Sequence, residues 1–124
     1  MTQKILVLGG HGFIGKSLVK ALNSANHDVV ALSRRNGLDL HCYDSTKVYL
    51  KRYQPEIIFN FAAHVGGLPY VAKRHAVIFA DNTQMALNLY RAVQEVCPES
   101  LIVNPLSNCC YPGQSEVYTE SDWL

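Results

Sequence analysis

The feature that most constrains the fold is a glycine-rich turn between an apolar run and a helical pattern. The run KILVL (4–8) leads directly into GGHGFIG (9–15). Residues 13–24 then place apolar side chains at helical spacing, namely Phe13, Leu18, Ala21 and Leu22. The segment therefore predicts a buried strand, a tight turn and a helix in direct succession.

The same alternation continues along the chain. Apolar runs predict further strands at 28–33, 56–64 and 100–107, and helical patterns predict helices at 41–54, capped by Asp44 or Ser45, and at 71–97. Strands that alternate with helices imply a parallel sheet with right-handed crossovers and helices on both faces. We predict an α/β, doubly wound sheet of about four strands, incomplete and in the order 3-2-1-4.

Composition narrows the class of protein. The chain has 124 residues, enough for one domain, with 48% hydrophobic and 17% charged residues and a net charge of +1. This balance favours neither nucleic acid nor an anionic membrane as a partner. With no signal pattern and no apolar stretch near 20 residues, we expect a cytoplasmic protein. None of the four cysteines lies in a CxxC spacing, so we expect reduced thiols and no metal site.

Three glycines in the turn point to a ligand. Gly9, Gly12 and Gly15 have GxxGxxG spacing between a predicted strand and helix. Such glycines allow a tight turn, close approach of a pyrophosphate and close packing of the helix, whose N-terminus attracts the anion. The context predicts a Rossmann-type dinucleotide-binding domain spanning residues 1–124.

The end of the second predicted strand bears on the choice of cofactor. NAD-specific sites carry an acidic residue about 20 positions after the glycines, whereas this chain has Arg34 and Arg35 there. Paired guanidinium groups favour a 2′-phosphate and hence NADP(H) over NAD(H), although the pair could be solvated. Asp39 could accept from the adenine amino group or be a turn residue, and His11 could face the phosphates or be an exposed loop histidine.

These motifs resemble the extended short-chain dehydrogenase/reductases that act on nucleotide sugars, the NAD-dependent epimerase/dehydratase family. LVLGGHGFIG is similar to their glycine motif, FNFAAHVGG to the segment that lines the cofactor, and DNTQMALNLYRAV to a helix with a structural asparagine, here Asn82. AAHVGG together with LSNCCYPG is most similar to the GDP-L-fucose synthase branch, whose members epimerise and reduce a GDP-4-keto-6-deoxyhexose with NADPH.

The resemblance implies roles for individual residues. Ser107 would bond the keto oxygen, or else cap a backbone group; Cys109 would transfer protons in epimerisation, or else be a buried structural thiol, and Cys110 would pack. Cofactor-binding residues would be Gly9, Gly12, Phe13, Ile14, Gly15, Arg34, Arg35, Asp39, Leu40, Ala62 and Ala63. The loop after the third strand lies where open α/β sheets bind ligands, so His64, Gly66 and Gly67 are expected in the sugar pocket, with no proton-transfer role for His64.

The sequence also departs from the family. No Tyr-x-x-x-Lys pair follows Ser107, and Tyr43 with Lys47 has that spacing by accident. We therefore expect an amino-terminal fragment that lacks the substrate domain and is inactive alone. Through its uncovered edge strand it is expected to form a homo-oligomer or else to be marginally stable. Two alternatives stay open: an NAD-dependent nucleotide-sugar 4-epimerase or 4,6-dehydratase, and a non-catalytic NADPH-binding sensor or interaction module.

Overall fold

A computed structural model describes residues 1–107, 110–111, 113 and 117–122. In this part of the chain a four-stranded parallel sheet packs with three α-helices, which confirms the predicted α/β, doubly wound fold. The strands are β1 (Lys4–Leu8), β2 (Asp28–Leu32), β3 (Ile57–Asn60) and β4 (Leu101–Val103), and the helices are α1 (Phe13–Ser24), α2 (Tyr43–Tyr53) and α3 (Leu68–Val96). Short 3₁₀ turns cover Arg34–Asn36 and Glu120–Asp122.

The strand order is β2-β1-β3-β4, so the predicted order 3-2-1-4 is wrong. Ile5 of β1 pairs with Val29 of β2 on one side and with Ile57 of β3 on the other. The chain therefore crosses back over β1 after β2 instead of continuing outward. Because crossovers are right-handed, this reversal puts α1 on one face of the sheet and α2 and α3 together on the other.

Several predicted boundaries shift for local reasons. β4 ends at Val103, not at residue 107, because Pro105 has no N–H to donate to a sheet. β3 ends at Asn60, and residues 61–64 leave the sheet. α3 begins at Leu68 with a proline in its first turn, a favoured position, and bends at Arg74. The N-cap of α2 is Cys42, without a side-chain hydrogen bond, so the predicted caps are wrong.

The main core lies between the sheet and the α2–α3 layer. Leu6, Leu8, Ile58, Leu50 and Leu89 are all buried there. The opposite face is less covered: in α1 only Gly15 is buried, and Phe13 is 95% exposed. The expected apolar stripe on α1 is therefore wrong at Phe13, which stands at the very start of the helix.

The described cysteines Cys42, Cys97 and Cys110 are free thiols. Among the described residues there is no group of His, Cys, Asp or Glu that could hold a metal ion. No helix in the described ranges has the length and apolar character needed to span a bilayer.

Candidate functional site

The glycine turn lies at the carboxyl end of β1, against the segment that leaves β3. Gly9 has a left-handed backbone (φ 71°), and its N–H donates to the Leu32 carbonyl at 2.9 Å. A Cβ atom at Gly9 would lie 2.6 Å from the Phe61 carbonyl oxygen, and one at Gly15 would overlap the Gly9 carbonyl. Strand, turn and helix can pack this closely only because these positions have no side chain. This is the switch point of the sheet, where ligands of open α/β folds bind.

The N-terminus of α1 opens from this turn. Gly12 is its N-cap, and no described side chain caps the helix. The first N–H groups of a helix have no intrahelical acceptor, and the helix dipole adds partial positive charge there. Phe13 and Ile14, which are 95% and 57% exposed, flank these groups. The arrangement can hold a pyrophosphate.

Arg34 and Arg35 lie in the 3₁₀ turn directly after β2, and both are exposed. The Ser33 hydroxyl accepts from the Arg35 N–H at 3.3 Å and donates to Asn36 Oδ1 at 3.1 Å. It also lies 3.1 Å from Nδ1 of His11, which links this turn to the glycine turn. Sequence reasoning missed the 3₁₀ turn, although a serine cap followed by Asn-Gly is a usable signal.

Asp39 and Leu40 follow that turn. Oδ1 of Asp39 accepts from the His41 backbone N–H at 3.0 Å, and the carboxylate side chain remains 55% exposed. The Leu40 side chain is buried in the core, and its carbonyl accepts from Asn88 Nδ2 at 2.8 Å. The contacts of Asp39 and Leu40 with a cofactor stay predictions. Because the Leu40 side chain is buried, any such contact would involve its backbone.

The loop after β3 contains Ala62, Ala63, His64, Gly66 and Gly67, and Asn82 of α3 holds it in place. Oδ1 of Asn82 accepts from the His64 N–H at 2.7 Å, and Nδ2 donates to the His64 carbonyl at 2.9 Å. One amide thus satisfies both backbone groups of His64. The loop is fixed to α3 at the carboxyl edge of the sheet.

The His64 side chain joins two residues that sequence reasoning missed. Nδ1 lies 2.7 Å from Asp81 Oδ2, and Nε2 lies 2.7 Å from the Tyr70 hydroxyl. The other Asp81 oxygen lies 3.6 Å from Nε2 of His41. Because Asp81 directly precedes Asn82 in the sequence, its nearness to the loop could have been expected from Asn82.

Ser107 lies in the segment that follows β4. In the same segment, Asn104 bonds to Asn60 of β3. Asn60 Nδ2 donates to Asn104 Oδ1 at 2.9 Å, and Asn104 also bonds the Tyr90 hydroxyl. The Ser107 carbonyl accepts from the Cys110 N–H at 3.2 Å. Cys109 lies outside the described residues, so its expected role is carried by the sequence resemblance alone.

Tyr43 and Lys47 both bond to the carboxylate of Glu95 on α3. Bonding to Lys47 first, and to Tyr43 second, holds the pKa of the Glu95 carboxyl below its ordinary value. The same carboxylate raises the pKa of Tyr43 and that of Lys47. This cluster ties α2 to α3.

Comparison with curated proteins relates the chain to nucleotide-sugar enzymes. It is 29% identical to a GDP-L-fucose synthase of Azorhizobium caulinodans over 113 residues, which cover 90% of this chain and 35% of the relative. It is 30% identical to a GDP-L-colitose synthase of Yersinia pseudotuberculosis over 122 residues, 98% of this chain and 39% of the relative. The chain thus spans somewhat more than a third of each relative.

A solved structure and a family model agree with these relatives. The crystal structure of a GDP-L-fucose synthetase from Naegleria fowleri superimposes with a TM-score of 0.77 at 25% identity, covering 98% of this chain and 37% of that one. The family model described as the NAD dependent epimerase/dehydratase family matches residues 5–123. The chain therefore belongs to the NAD dependent epimerase/dehydratase family.

Proposed function

We propose that this chain is the NADP(H)-binding portion of a nucleotide-sugar epimerase/reductase similar to GDP-L-fucose synthase. The observation that carries the proposal is the turn at Gly9, which lies against Phe61 and opens the N-terminus of α1 at the switch point of the sheet. Pyrophosphate of a dinucleotide would bind there, beside the exposed Phe13 and Ile14.

The two arginines after β2 support a preference for NADP(H). Both side chains are exposed in the turn that Ser33 caps. This turn follows β2, which pairs with the strand that precedes the glycine turn. Guanidinium groups at this position would pair with a 2′-phosphate, whereas the ribose hydroxyls of NAD call for a carboxylate. Asp39 would contact the adenine, and Ala62 and Ala63 would line the cofactor.

The substrate would be a GDP-4-keto-6-deoxyhexose, which the enzyme would epimerise and then reduce. Ser107 would donate to the keto oxygen, Cys109 would transfer protons at the neighbouring carbon, and the loop with His64, Gly66 and Gly67 would line the sugar pocket. A carbon next to a ketone is acidic enough for a positioned thiolate to deprotonate. The Azorhizobium and Yersinia relatives support the choice of a GDP sugar.

We also propose that the substrate-binding domain of this enzyme is supplied outside residues 1–124. The supporting observations are the fraction of its relatives that the chain spans and the exposure of Leu101 and Val103 on the edge strand β4. An exposed apolar edge strand invites pairing with further polypeptide or with a second copy. On this account the chain alone forms a homo-oligomer and does not reduce a keto sugar.

Two other functions would predict different behaviour. An NAD-dependent 4-epimerase or 4,6-dehydratase would favour NAD(H), which Arg34 and Arg35 argue against. A non-catalytic sensor or interaction module would bind NADPH and have no effect on keto sugars. Ser107 and Cys109 favour the enzyme because a sensor has no need for them.

Calorimetric titration of the unmutated chain with NADPH and NADH tests the proposal. We expect NADPH to bind more tightly than NADH, and the difference to shrink as salt is added. Equal affinity for both cofactors, or no binding of either, would contradict it. In a protein that also contains the proposed substrate-binding domain, incubation of the NADP⁺ complex with GDP-4-keto-6-deoxymannose in heavy water then separates an enzyme portion, which exchanges a sugar proton for deuterium, from a sensor, which does not.

A further inference from the structure

We propose that Tyr70, His64 and Asp81 form a proton relay, with the Tyr70 hydroxyl as a second group, besides Cys109, that exchanges a proton with the bound keto sugar. The proposal rests on the proposed function for the identity of the substrate. The relay itself rests on side-chain geometry, and it assigns His64 a role that the sequence did not suggest.

The three side chains form a continuous chain of hydrogen bonds. A carboxylate only accepts, so Nδ1 of His64 carries the proton that Asp81 Oδ2 accepts at 2.7 Å. In neutral imidazole the other nitrogen is then an acceptor. Nε2 therefore accepts a hydrogen bond from the Tyr70 hydroxyl, which lies 2.7 Å away. Asp81 thus fixes the tautomer that lets His64 act as a base toward Tyr70.

His64, the central member of the relay, is held in place by its neighbours, whereas Tyr70 at one end is accessible to solvent. Asn82 clamps both backbone groups of His64, and the Tyr70 ring lies against the backbone of Gly66, where a Cβ atom would overlap it. The exposed fraction is 25% for the His64 side chain and 39% for Tyr70. A ligand bound beside this loop would therefore reach Tyr70 before His64.

Charged side chains lie beside both ends of the relay. The Arg74 guanidinium lies 5.5 Å from the centre of the Tyr70 ring, a distance at which a cation is attracted to an aromatic face. Asp81 stabilises the imidazolium that forms. His41 lies 3.6 Å from the second Asp81 oxygen, and Asp39 lies 3.2 Å from His41 on its far side.

The proposed step conserves atoms and charge. The Tyr70 oxygen takes the proton from the carbon next to the sugar ketone, and the C–H electron pair moves into an enolate. In the same step the original hydroxyl proton of Tyr70 passes to Nε2 of His64. The products are an enolate, neutral Tyr70 and a His64 imidazolium paired with Asp81. The reverse step returns a proton to the carbon.

Labelling with an aryl sulfonyl fluoride tests the relay in this chain without any sugar. The phenol oxygen forms the S–O bond, fluoride leaves, and a neighbouring base takes the phenol proton. Tyr90 is a matched internal control because it lies on the same helix and is 48% exposed. We expect Tyr70 to be labelled at least tenfold faster than Tyr90, measured by peptide mass spectrometry.

Variants separate a relay from a structural contact. His64→Gln should remove the rate advantage of Tyr70, Asp81→Asn should reduce it severalfold and Asp81→Glu should restore part of it, while labelling of Tyr90 stays constant. Folding is checked by circular dichroism, and His75→Gln serves as a control on α3. Equal labelling of Tyr70 and Tyr90 in the unmutated chain, or an unchanged Tyr70 rate in His64→Gln, would overturn the relay.

Deuterium exchange into GDP-4-keto-6-deoxymannose, measured with NADP⁺ in a protein that also contains the proposed substrate-binding domain, tests the role of Tyr70 toward the sugar. General acid–base catalysis contributes roughly a hundred- to ten-thousandfold, so Tyr70→Phe should slow exchange by at least about a hundredfold. Exchange that is unchanged in Tyr70→Phe would overturn its proton-transfer role. Fast labelling of Tyr70 without any exchange by the unmutated protein with its substrate-binding domain would instead contradict the proposed substrate and leave the relay supported.

Discussion

The carbonyl oxygen of Phe61 occupies the space that a side chain on Gly9 would need, since a Cβ atom at Gly9 would lie 2.6 Å from it. This contact joins the turn after β1 to the segment after β3. It places the N-terminus of α1 directly beside the loop that contains His64. The residues predicted for the cofactor site and those predicted for the sugar pocket therefore follow neighbouring strands at the carboxyl end of the sheet.

Gly9→Ala should destabilise the fold and abolish cofactor binding. The left-handed backbone at Gly9 is strained for alanine, and the backbone of Phe61 has to move. Overpacking of this kind costs about 1 to 3 kcal/mol in the free energy of unfolding, measurable in urea. Gly113→Ala is the control because a Cβ atom there meets nothing within 4 Å. Equal stability of the two variants would contradict the close contact.

Asn82→Ala should loosen the His64 loop while leaving α3 helical. The change leaves the N–H and C=O of His64 without their partners, which costs about 1 to 3 kcal/mol. Asn23→Ala is the matched control because Asn23 is an exposed asparagine in α1 and gains the same helix propensity. Hydrogen exchange of the His64 amide should accelerate in Asn82→Ala only. An unchanged exchange rate would show that Asn82 does not hold the loop.

Acid should weaken the α2–α3 contact through Glu95. The pKa of this carboxyl is lowered in the folded protein, chiefly by Lys47, so the folded state binds fewer protons than the unfolded state. Its stabilisation is complete above the ordinary pKa of 4.5 and is lost as the pH falls through the lowered value. Thermal melts should show a smaller decrease in Tm below pH 4.5 for Glu95→Gln than for the unmutated chain. The effect should be small, because exposed ion pairs are screened by solvent.

A melting temperature of Glu95→Gln that follows the unmutated protein throughout the acid range would show that the Lys47–Glu95 pair does not contribute. Glu99→Gln is a suitable control, since Glu99 is an exposed acid just after α3.

Arg34→Ala should reduce affinity for NADPH by roughly ten- to a hundredfold and leave affinity for NADH almost unchanged. A hydrogen bond to a charged group contributes about 1.5 to 3 kcal/mol, and only NADPH has the 2′-phosphate. Arg52→Ala, on α2 beside the Tyr53 ring, controls for the loss of one positive charge. Titration calorimetry gives both affinities. Similar losses for NADPH in the two variants would exclude a specific phosphate contact at Arg34.

The elements that could be predicted from the sequence are those fixed by local pattern. The glycine turn, the strands and the long helix follow from apolar spacing and from turn residues, and all are present. The strand order was missed because the side of β1 on which β3 pairs depends on the packing of α2 against α3, which local spacing does not encode. The burial of Phe13 was predicted wrongly because helical spacing alone does not show whether the first turn of a helix packs on the core.

The same limit applies to the site. Gly9 and Gly15 were identified because backbone approach has a strong residue preference. Tyr70 and Asp81 were missed because they lie 6 and 17 positions from His64 and meet it only after α3 folds back over the loop. Asn82 offers a sequence signal for its neighbour Asp81, but nothing in the sequence indicates Tyr70.

Mapping of amide chemical shifts on addition of NADPH and NADH tests most directly whether the chain binds NADP(H) at the glycine turn. With both cofactors the account predicts shifts at His11, Gly12 and Phe13, where the pyrophosphate would meet the N-terminus of α1, and at Ala62 and Ala63. Shifts at Arg34 and Arg35 should be large with NADPH and small with NADH. Shifts that leave residues 9–15 unchanged, or that are the same for the two cofactors at Arg34 and Arg35, would contradict it.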